Sequence, residues 1–433
     1  MIGFMADLND TKNDEPRFEL EEGKDMICLG EGLVFPARSD DINNNILVCG
    51  PTRAGKSTGI LLPTMLHSHS HSIVMPIVKR KIYDQCAPLL KSRGYTVIDL
   101  NLSKPKDSPC GWDPLRSVHD EDDYITLAES IVGGESRTMF QESDPYWKNA
   151  CSSCIAAMMM LSRFLNGSTS GFMEFMALYR SLEVTFPNGH ARSNLDSAFE
   201  DMEMTEPESS APKLWRQLQG NASRTGACIV SLVHSALSKY CGEWGKEVFG
   251  KRIQLDPSIV GKKKTAIFIT TNSVSVPGKQ LMNLLISDMI RQLFELAESR
   301  GGELAVPVLL CADDFAAGAR IMGFGDYIST FCAAGISAII LIQSLSQLSS
   351  IYGDYEARTI INNCDTIACL GTNCIETARE LSERVSCPVE DVLNMKPGEV
   401  IITRRGMMPR FAKRYRTFED PVYLSSLDNI EKG

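Results

Sequence analysis

Short apolar runs at residues 46–49, 72–78, 95–100, 265–271, 306–312, 336–342 and 366–370 punctuate the chain. They are close to continuously apolar, as strands buried on both faces of a parallel sheet are. Helical patterns at 58–66 and 82–94 alternate with the first three runs, and others follow at 281–299 and 376–385. The β-α-β-α-β order of residues 46–100 predicts a parallel sheet with helices on its faces. Residues 27–35 read as a short hairpin turning near Gly30 and Gly32.

From about Ser117 to Gly250 the strand signals nearly vanish. Helices are predicted at 125–131, 147–165, 172–182, 195–202 and 214–240, separated by turns rich in Gly, Pro, Ser and Asn. The expected fold is therefore α/β: a mostly parallel central sheet with an inserted all-α domain. Its parts are a flexible acidic segment (1–24), a first sheet portion (25–116), the helical insertion (117–250) and a second sheet portion (251–433).

Composition narrows the function. The chain has 433 residues, 43% of them hydrophobic, and a formal net charge of −10. A generally basic nucleic-acid binder is excluded, so any DNA contact must come from local patches. Fourteen cysteines are scattered without a disulfide-like framework, which reads as reduced thiols in a cytosol. Residues 1–24 have no apolar core of the kind a signal peptide needs. No window approaches ~18 uninterrupted apolar residues, so no transmembrane helix is expected.

The strongest chemical signal follows the first run. Gly50-Pro51-Thr52-Arg53-Ala54-Gly55-Lys56-Ser57 fits the phosphate-binding loop pattern, with Thr58 opening a helix. Backbone N–H groups of such a loop close around phosphate oxygens. Lys56 would reach the β- and γ-phosphates, and the Ser57 hydroxyl would take Mg²⁺. Farther on, the run at 306–312 ends in Asp313-Asp314. Asp313 would complete the Mg²⁺ shell and Asp314 would polarise an attacking water. These roles need Lys56 and Asp313 side by side on neighbouring strand tips. Gln343, at the end of another run, would contact a γ-phosphate or water, or else bond a loop.

Weaker signals have bland readings beside sharp ones. His67, His69 and His71 alternate and would line one side of an extended segment, but no nearby carboxylate or cysteine completes a metal site. They read better as a polar loop. Cys151 and Cys154 are a lone pair on a helix and read as core packing. Lys79-Arg80-Lys81 ends a strand and would meet phosphate or water, and Lys262-Lys263-Lys264 is a smaller basic turn. Pro63 removes one helical hydrogen bond, and Gly59, four residues earlier, relieves the crowding. Arg404, Arg405, Arg410, Lys413, Arg414 and Arg416, with Phe411 and Tyr415 interleaved, form either a nucleic-acid grip or a charged surface strand.

Taken together, these segments resemble the TraG/TraD-type coupling proteins of type IV secretion and conjugation, a branch of the RecA-like P-loop motor ATPases. The resemblance rests on Gly50–Ser57, on Asp313-Asp314-Phe315 with Gly318-Ala-Arg320, and on Gln343-Ser-Leu-Ser-Gln347-Leu. Asn362-Asn-Cys-Asp365-Thr with Gly371-Thr-Asn373, Asp144-Pro-Tyr-Trp147-Lys148 and Trp112-Asp113-Pro114-Leu115 also match. It covers roughly residues 45–425. The resemblance implies ATP and Mg²⁺ as ligands and a ring of six subunits. It also implies DNA, relaxase-like or secreted proteins as substrates, membrane-embedded channel subunits as partners, and a cytoplasmic position at the inner face of the membrane. Arg320 is one candidate for an arginine acting on a neighbour's site.

The sequence departs from the family at three points. Membrane-spanning helices are absent from it, and Lys79-Arg80-Lys81 stands where two acidic residues are usual. Asp314 replaces a Glu, bringing the carboxylate ~1.5 Å short. A misplacement of ~1 Å can cost ~100-fold in rate, so a recruitment platform with slow or no hydrolysis is an alternative to the motor. A DNA-packaging or segregation motor is a second.

Overall fold

The computed structural model describes residues 20–134, 145–272, 274–315 and 320–430, the side chains of 427–430 excepted. Most of the acidic segment 1–24, together with Asp144 and Gly318-Ala319, lies outside the described residues. The strands, in chain order, are β1 (Met26–Gly30), β2 (Leu33–Pro36), β3 (Ile46–Cys49), β4 (Ser72–Ile77), β5 (Thr96–Asn101), β6 (Val184–Thr185) and β7 (Arg192–Ser193). They continue with β8 (Thr265–Thr270), β9 (Val308–Ala312), β10 (Ile336–Ile342), β11 (Thr366–Cys369), β12 (Glu399–Arg404) and β13 (Arg410–Lys413).

Nine of them form one sheet in the order β13-β12-β11-β3-β10-β9-β4-β8-β5. From β11 to β5 all neighbours are parallel, and β12 and β13 close one edge antiparallel. All the apolar runs of the sequence are strands of this sheet. The β1–β2 hairpin turns at Glu31-Gly32, where Gly32 takes φ +69°.

The continuous apolar character of the strands has the expected cause. In β3, Ile46 and Val48 join the core on one face, with Ile60, Leu61 and Met65 of the following helix. Leu47 and Cys49 join the core on the other face, which runs on into the helical layer. Both faces are covered, so no position along the strand can be polar.

Between β5 and β8, which are neighbours in the sheet, the chain makes a helical excursion. Its largest member, Pro145–Asn166, buries Cys151, Cys154 and a run from Ile155 to Ser162. The predicted helix at 214–240 is two helices, Ala211–Gln219 and Ser223–Leu237, parted at Gly220-Asn221. The expectation of helices alone also fails locally. Val184–Thr185 and Arg192–Ser193 pair as a two-residue ladder around Pro187-Asn188-Gly189, a turn sequence with Asn188 at φ 52°. Asp113 fixes the entry to the layer. Its carboxylate accepts from Leu115 N at 2.9 Å and from Phe172 N at 3.1 Å, capping two elements at once. No described helix is long and apolar enough to cross a membrane.

One expectation of topology is corrected. β3 and β9, which carry Lys56 and Asp313 at their ends, are not neighbours, because β10 lies between them. The loops after both strands lean over the end of β10. Gly50 N donates to Ile342 O at 3.3 Å and Phe315 N donates to Leu341 O at 3.0 Å. The intervening strand thus holds the two loops together.

Candidate phosphate site and comparisons

The loop from Gly50 to Ser57 leaves β3 and turns through two left-handed residues, Arg53 at φ +69° and Gly55 at φ +88°. Alternation of left- and right-handed residues turns successive N–H groups inward, which makes an anion-binding concavity. Lys56 is 8% exposed. Its Nζ donates to the carbonyls of Gly50 at 2.6 Å and Pro51 at 3.2 Å. Burial pulls the Lys56 ammonium below its ordinary pKa, against the raising charges of Asp314 and Asp313.

Ser57 Oγ donates to the Asp313 carboxylate, 3.0 and 3.1 Å from its two oxygens. Burial pushes the Asp313 carboxyl above its ordinary pKa and the Asp314 charge adds to this, while the Ser57 hydrogen bond and Lys56 oppose it. A hydroxyl and a half-buried carboxylate, both hard oxygen donors, suit Mg²⁺ rather than a softer metal. Beside it, Asp314 sits at φ 52°. Short polar side chains tolerate this left-handed region better than longer ones. Gln343 is exposed at the end of β10, its backbone N–H bonded to Gln347 Oε1 at 2.9 Å. The structure therefore brings Lys56, Ser57, Asp313 and Asp314 together, with Gln343 on the strand between their loops.

Thr58 does open a helix, but its first turn is wide. Leu62 N reaches back five residues to Ser57 O across Ser57–Leu61. In that ladder the missing N–H of Pro63 frees the Thr58 carbonyl. Thr417 Oγ1 donates to it at 2.6 Å. Gly59 also has another reason. A β-carbon there would run into the side chain of Arg414, and so would one at Gly55. Arg414 Nη1 donates to Ala54 O at 2.9 Å. The glycine in the first turn was thus a readable sign of close approach, whereas nothing in the sequence pointed to Thr417.

The C-terminal basic cluster is accordingly not one exposed stripe. Arg404 lies over the Phe35 ring and donates to Thr366 Oγ1. Arg405 pairs with Asp365 at 3.3 Å, and Arg416 with Glu31 and Glu419. Arg414 belongs to the phosphate loop, and Arg410 and Lys413 stand on the edge strand β13. Arg320, the candidate for action on a neighbour, is paired within its own chain to Glu356 and lies over Tyr352. Arg80 is held by Asp99 at 3.0 and 2.7 Å. The three histidines do not converge through their rings: His67 pairs with Asp420 at 2.7 Å and His71 with Asp25 at 3.1 Å, while His69 meets Asp25 only through its backbone N–H. Among the described residues no group of three His, Cys, Asp or Glu could hold a metal.

The family described as type IV secretory system conjugative DNA transfer matches residues 11–386. The chain belongs to that family. It is 20% identical over 373 residues to the conjugal transfer protein TraG of Escherichia coli, covering 78% of this chain and 54% of TraG. It therefore spans about half the length of that relative. Its fold is similar to the bacterial conjugative coupling protein TrwBdeltaN70 in an unbound monoclinic form, with TM-score 0.70, 16% identity and coverage of 91% and 89% of the two chains. Plasmid coupling protein TrwB in complex with a non-hydrolysable ATP analogue gives TM-score 0.68, 16% identity and coverage of 93% and 92%. The shared fold is an α/β domain built on a mostly parallel sheet, with an added helical layer. The site described above occupies the carboxyl ends of its parallel strands, where open α/β sheets bind ligands.

Proposed function

We propose that this chain is an ATP-hydrolysing coupling protein for conjugative transfer through a type IV secretion system. One observation carries the reading. Ser57 Oγ and the Asp313 carboxylate, 256 positions apart, are hydrogen-bonded beside Lys56 in a phosphate-binding loop. The fold shared with TrwB bound to an ATP analogue supports it. The loop amides and Lys56 bind the β- and γ-phosphates. Ser57 and Asp313 would hold Mg²⁺, which supplies charge neutralisation on the phosphate oxygens. Asp314 orients a water and accepts its proton. The water oxygen bonds to the γ-phosphorus while the bond to the β–γ bridging oxygen breaks, releasing ADP and phosphate.

In this reading six copies form a ring at the inner face of the membrane, docked on membrane-embedded channel subunits. They move DNA, relaxase-like proteins or secreted proteins. The negative net charge of −10 confines DNA contact to local surfaces.

The test is phosphate release measured over a range of protein concentrations, with and without single- and double-stranded DNA. Mg²⁺-dependent turnover is expected, with specific activity rising with concentration as shared sites assemble. Lys56→Ala should lower it by on the order of 100-fold, as loss of one aimed phosphate or oxyanion donor does. Wild-type turnover no greater than that of Lys56→Ala, whatever the concentration, would refute the ATPase.

A further inference from the structure

The helix Val276–Ser299, which connects β8 to β9, buries three polar side chains among its leucines: Gln280, Asn283 and Ser287. Asn is a poor helix former, and a buried amide without a partner is costly. A residue of that kind on this face needs a reason. Its two polar neighbours have one. Gln280 Nε2 donates to Gly134 O at 3.5 Å, and Ser287 Oγ donates to Met322 O at 3.1 Å. Asn283, between them and only 7% exposed, has no hydrogen-bond partner among the described residues.

Asn283 lines a cavity of about 20 Å³ between this helix and the end of β9. Lys279, Asn283, Asp313 and Asp314 supply its polar wall, and Phe315 and Ile321 part of its apolar one. One water needs ~10–15 Å³ and two to four polar partners. The cavity therefore has room and partners for a single water, and is too small for a ligand group. The Asp314 carboxylate, on the same cavity, also makes no hydrogen bond to a described residue. Its left-handed backbone, at φ 52°, sets where the side chain leaves the loop but not the torsions beyond it. A buried amide and a carboxylate, neither with a protein partner, thus share one water-sized space.

We infer that Asn283 is a positioning residue for the proposed hydrolysis. Its amide N–H donates to one water in the cavity, that water donates to the Asp314 carboxylate, and the bridge fixes the direction in which the carboxylate points. A bridge through one ordered water is nearly as good as a direct hydrogen bond. The bridging water stays in place, and the water that attacks phosphorus is a different one. The inference rests on the ATPase reading and adds to it a residue that belongs to neither the phosphate loop nor the acidic pair.

The experiment uses the full chain and two measurements: steady-state phosphate release against Mg·ATP, and calorimetric titration with Mg²⁺ and a non-hydrolysable ATP analogue. Asn283→Leu keeps the shape of the side chain and removes its donor. A catalytic group misplaced by ~1 Å can cost ~100-fold. Loosening Asp314 without removing it should lower kcat about tenfold, with KM and the analogue's affinity within twofold of wild type. Asn283→Ala, which cannot crowd the cavity, should show the same loss. Asn283→Gln extends the amide by one methylene into the water's place, where it bonds the carboxylate directly, and should restore kcat to within threefold of wild type. Leu and Ala variants that keep the wild-type kcat overturn the inference. So does a loss of kcat matched by a loss of analogue affinity, or a Gln variant as slow as the Leu one. In each of those cases the wild type still turns over, and the ATPase reading stands. Wild-type turnover no greater than that of Lys56→Ala overturns that reading, and Asn283's role with it.

Discussion

Under the proposed function, Asp314 is the residue on which the choice between a fast motor and a slow platform turns. Its side chain is one methylene shorter than the Glu implied by the family resemblance. The structure adds that its backbone is left-handed, at φ 52°, a conformation that favours the short carboxylate. Loop and side chain thus agree with one another, and the Asp is expected to be in working position. Asp314→Glu should therefore lower turnover about tenfold, because the longer side chain overshoots and the left-handed turn resists it. The measurement is steady-state phosphate release at saturating Mg·ATP. A tenfold increase instead would mean that the native carboxylate falls short, and would favour the recruitment platform. The residue-scale chemistry was largely legible in the sequence, since Gly50 to Ser57 and Asp313-Asp314 are contiguous patterns whose spacing reflects local backbone geometry. Arg414 was legible only as a charge. Its role depends on a fold that returns it to Gly55 and Gly59, which no local pattern encodes.

At the scale of elements, the helix after the phosphate loop is incomplete by itself. Pro63 leaves the Thr58 carbonyl without its ladder donor, and Thr417, 2% exposed, supplies one from the far end of the chain. Thr417→Val keeps the volume but removes the donor. A typical hydrogen bond contributes ~0.5–1.5 kcal/mol, so the variant should unfold at lower denaturant, by about 1 kcal/mol, with weaker ATP binding as the helix start loosens. An unchanged unfolding midpoint would show that water or a shifted helix replaces the hydroxyl. The inner strands of this sheet were readable because burial on both faces leaves them almost continuously apolar. β12 and β13 were not, for the same physical reason reversed. β13 is the half-exposed edge strand, and its Arg410 and Lys413 are the kind of residue an edge carries to avoid further pairing; β12, just inside it, buries only the short run Val400–Ile402 between polar ends. The break at Gly220-Asn221 was also missed, because apolar spacing continues on either side of it.

For the molecule as a whole, the C-terminal segment closes the fold by returning to the first crossover. Three ties follow one another: Arg414 to Ala54, Thr417 to Thr58 and Asp420 to His67. The last is the most buried. Asp420 Oδ2 lies 2.7 Å from His67 Nε2 and accepts from Tyr415 OH at 2.6 Å, and Oδ1 accepts from Val422 N at 2.8 Å to start the final helix. Burial alone would raise the Asp420 pKa, but the hydrogen bonds from His67 and Tyr415 outweigh it and hold the carboxyl at about 2. In the unfolded chain an Asp titrates near ~3.9. The ionised form is thus the one the fold prefers. Its contribution is complete above pH ~4 and is lost as pH falls through about 2, amounting to ~2 kcal/mol by linkage. Asp420→Asn cannot ionise, so it should be less stable than the wild type by ~2 kcal/mol at pH 7, with the gap closing between pH 4 and 2. Asp25, held low beside His71 in both proteins, cancels in that difference. Urea unfolding of the two proteins at stepped pH measures it. A gap that stays constant down to pH 2 would mean that Asp420 acts by shape and hydrogen bonding alone, and that its charge does not help to fasten the end of the chain to the phosphate loop's helix.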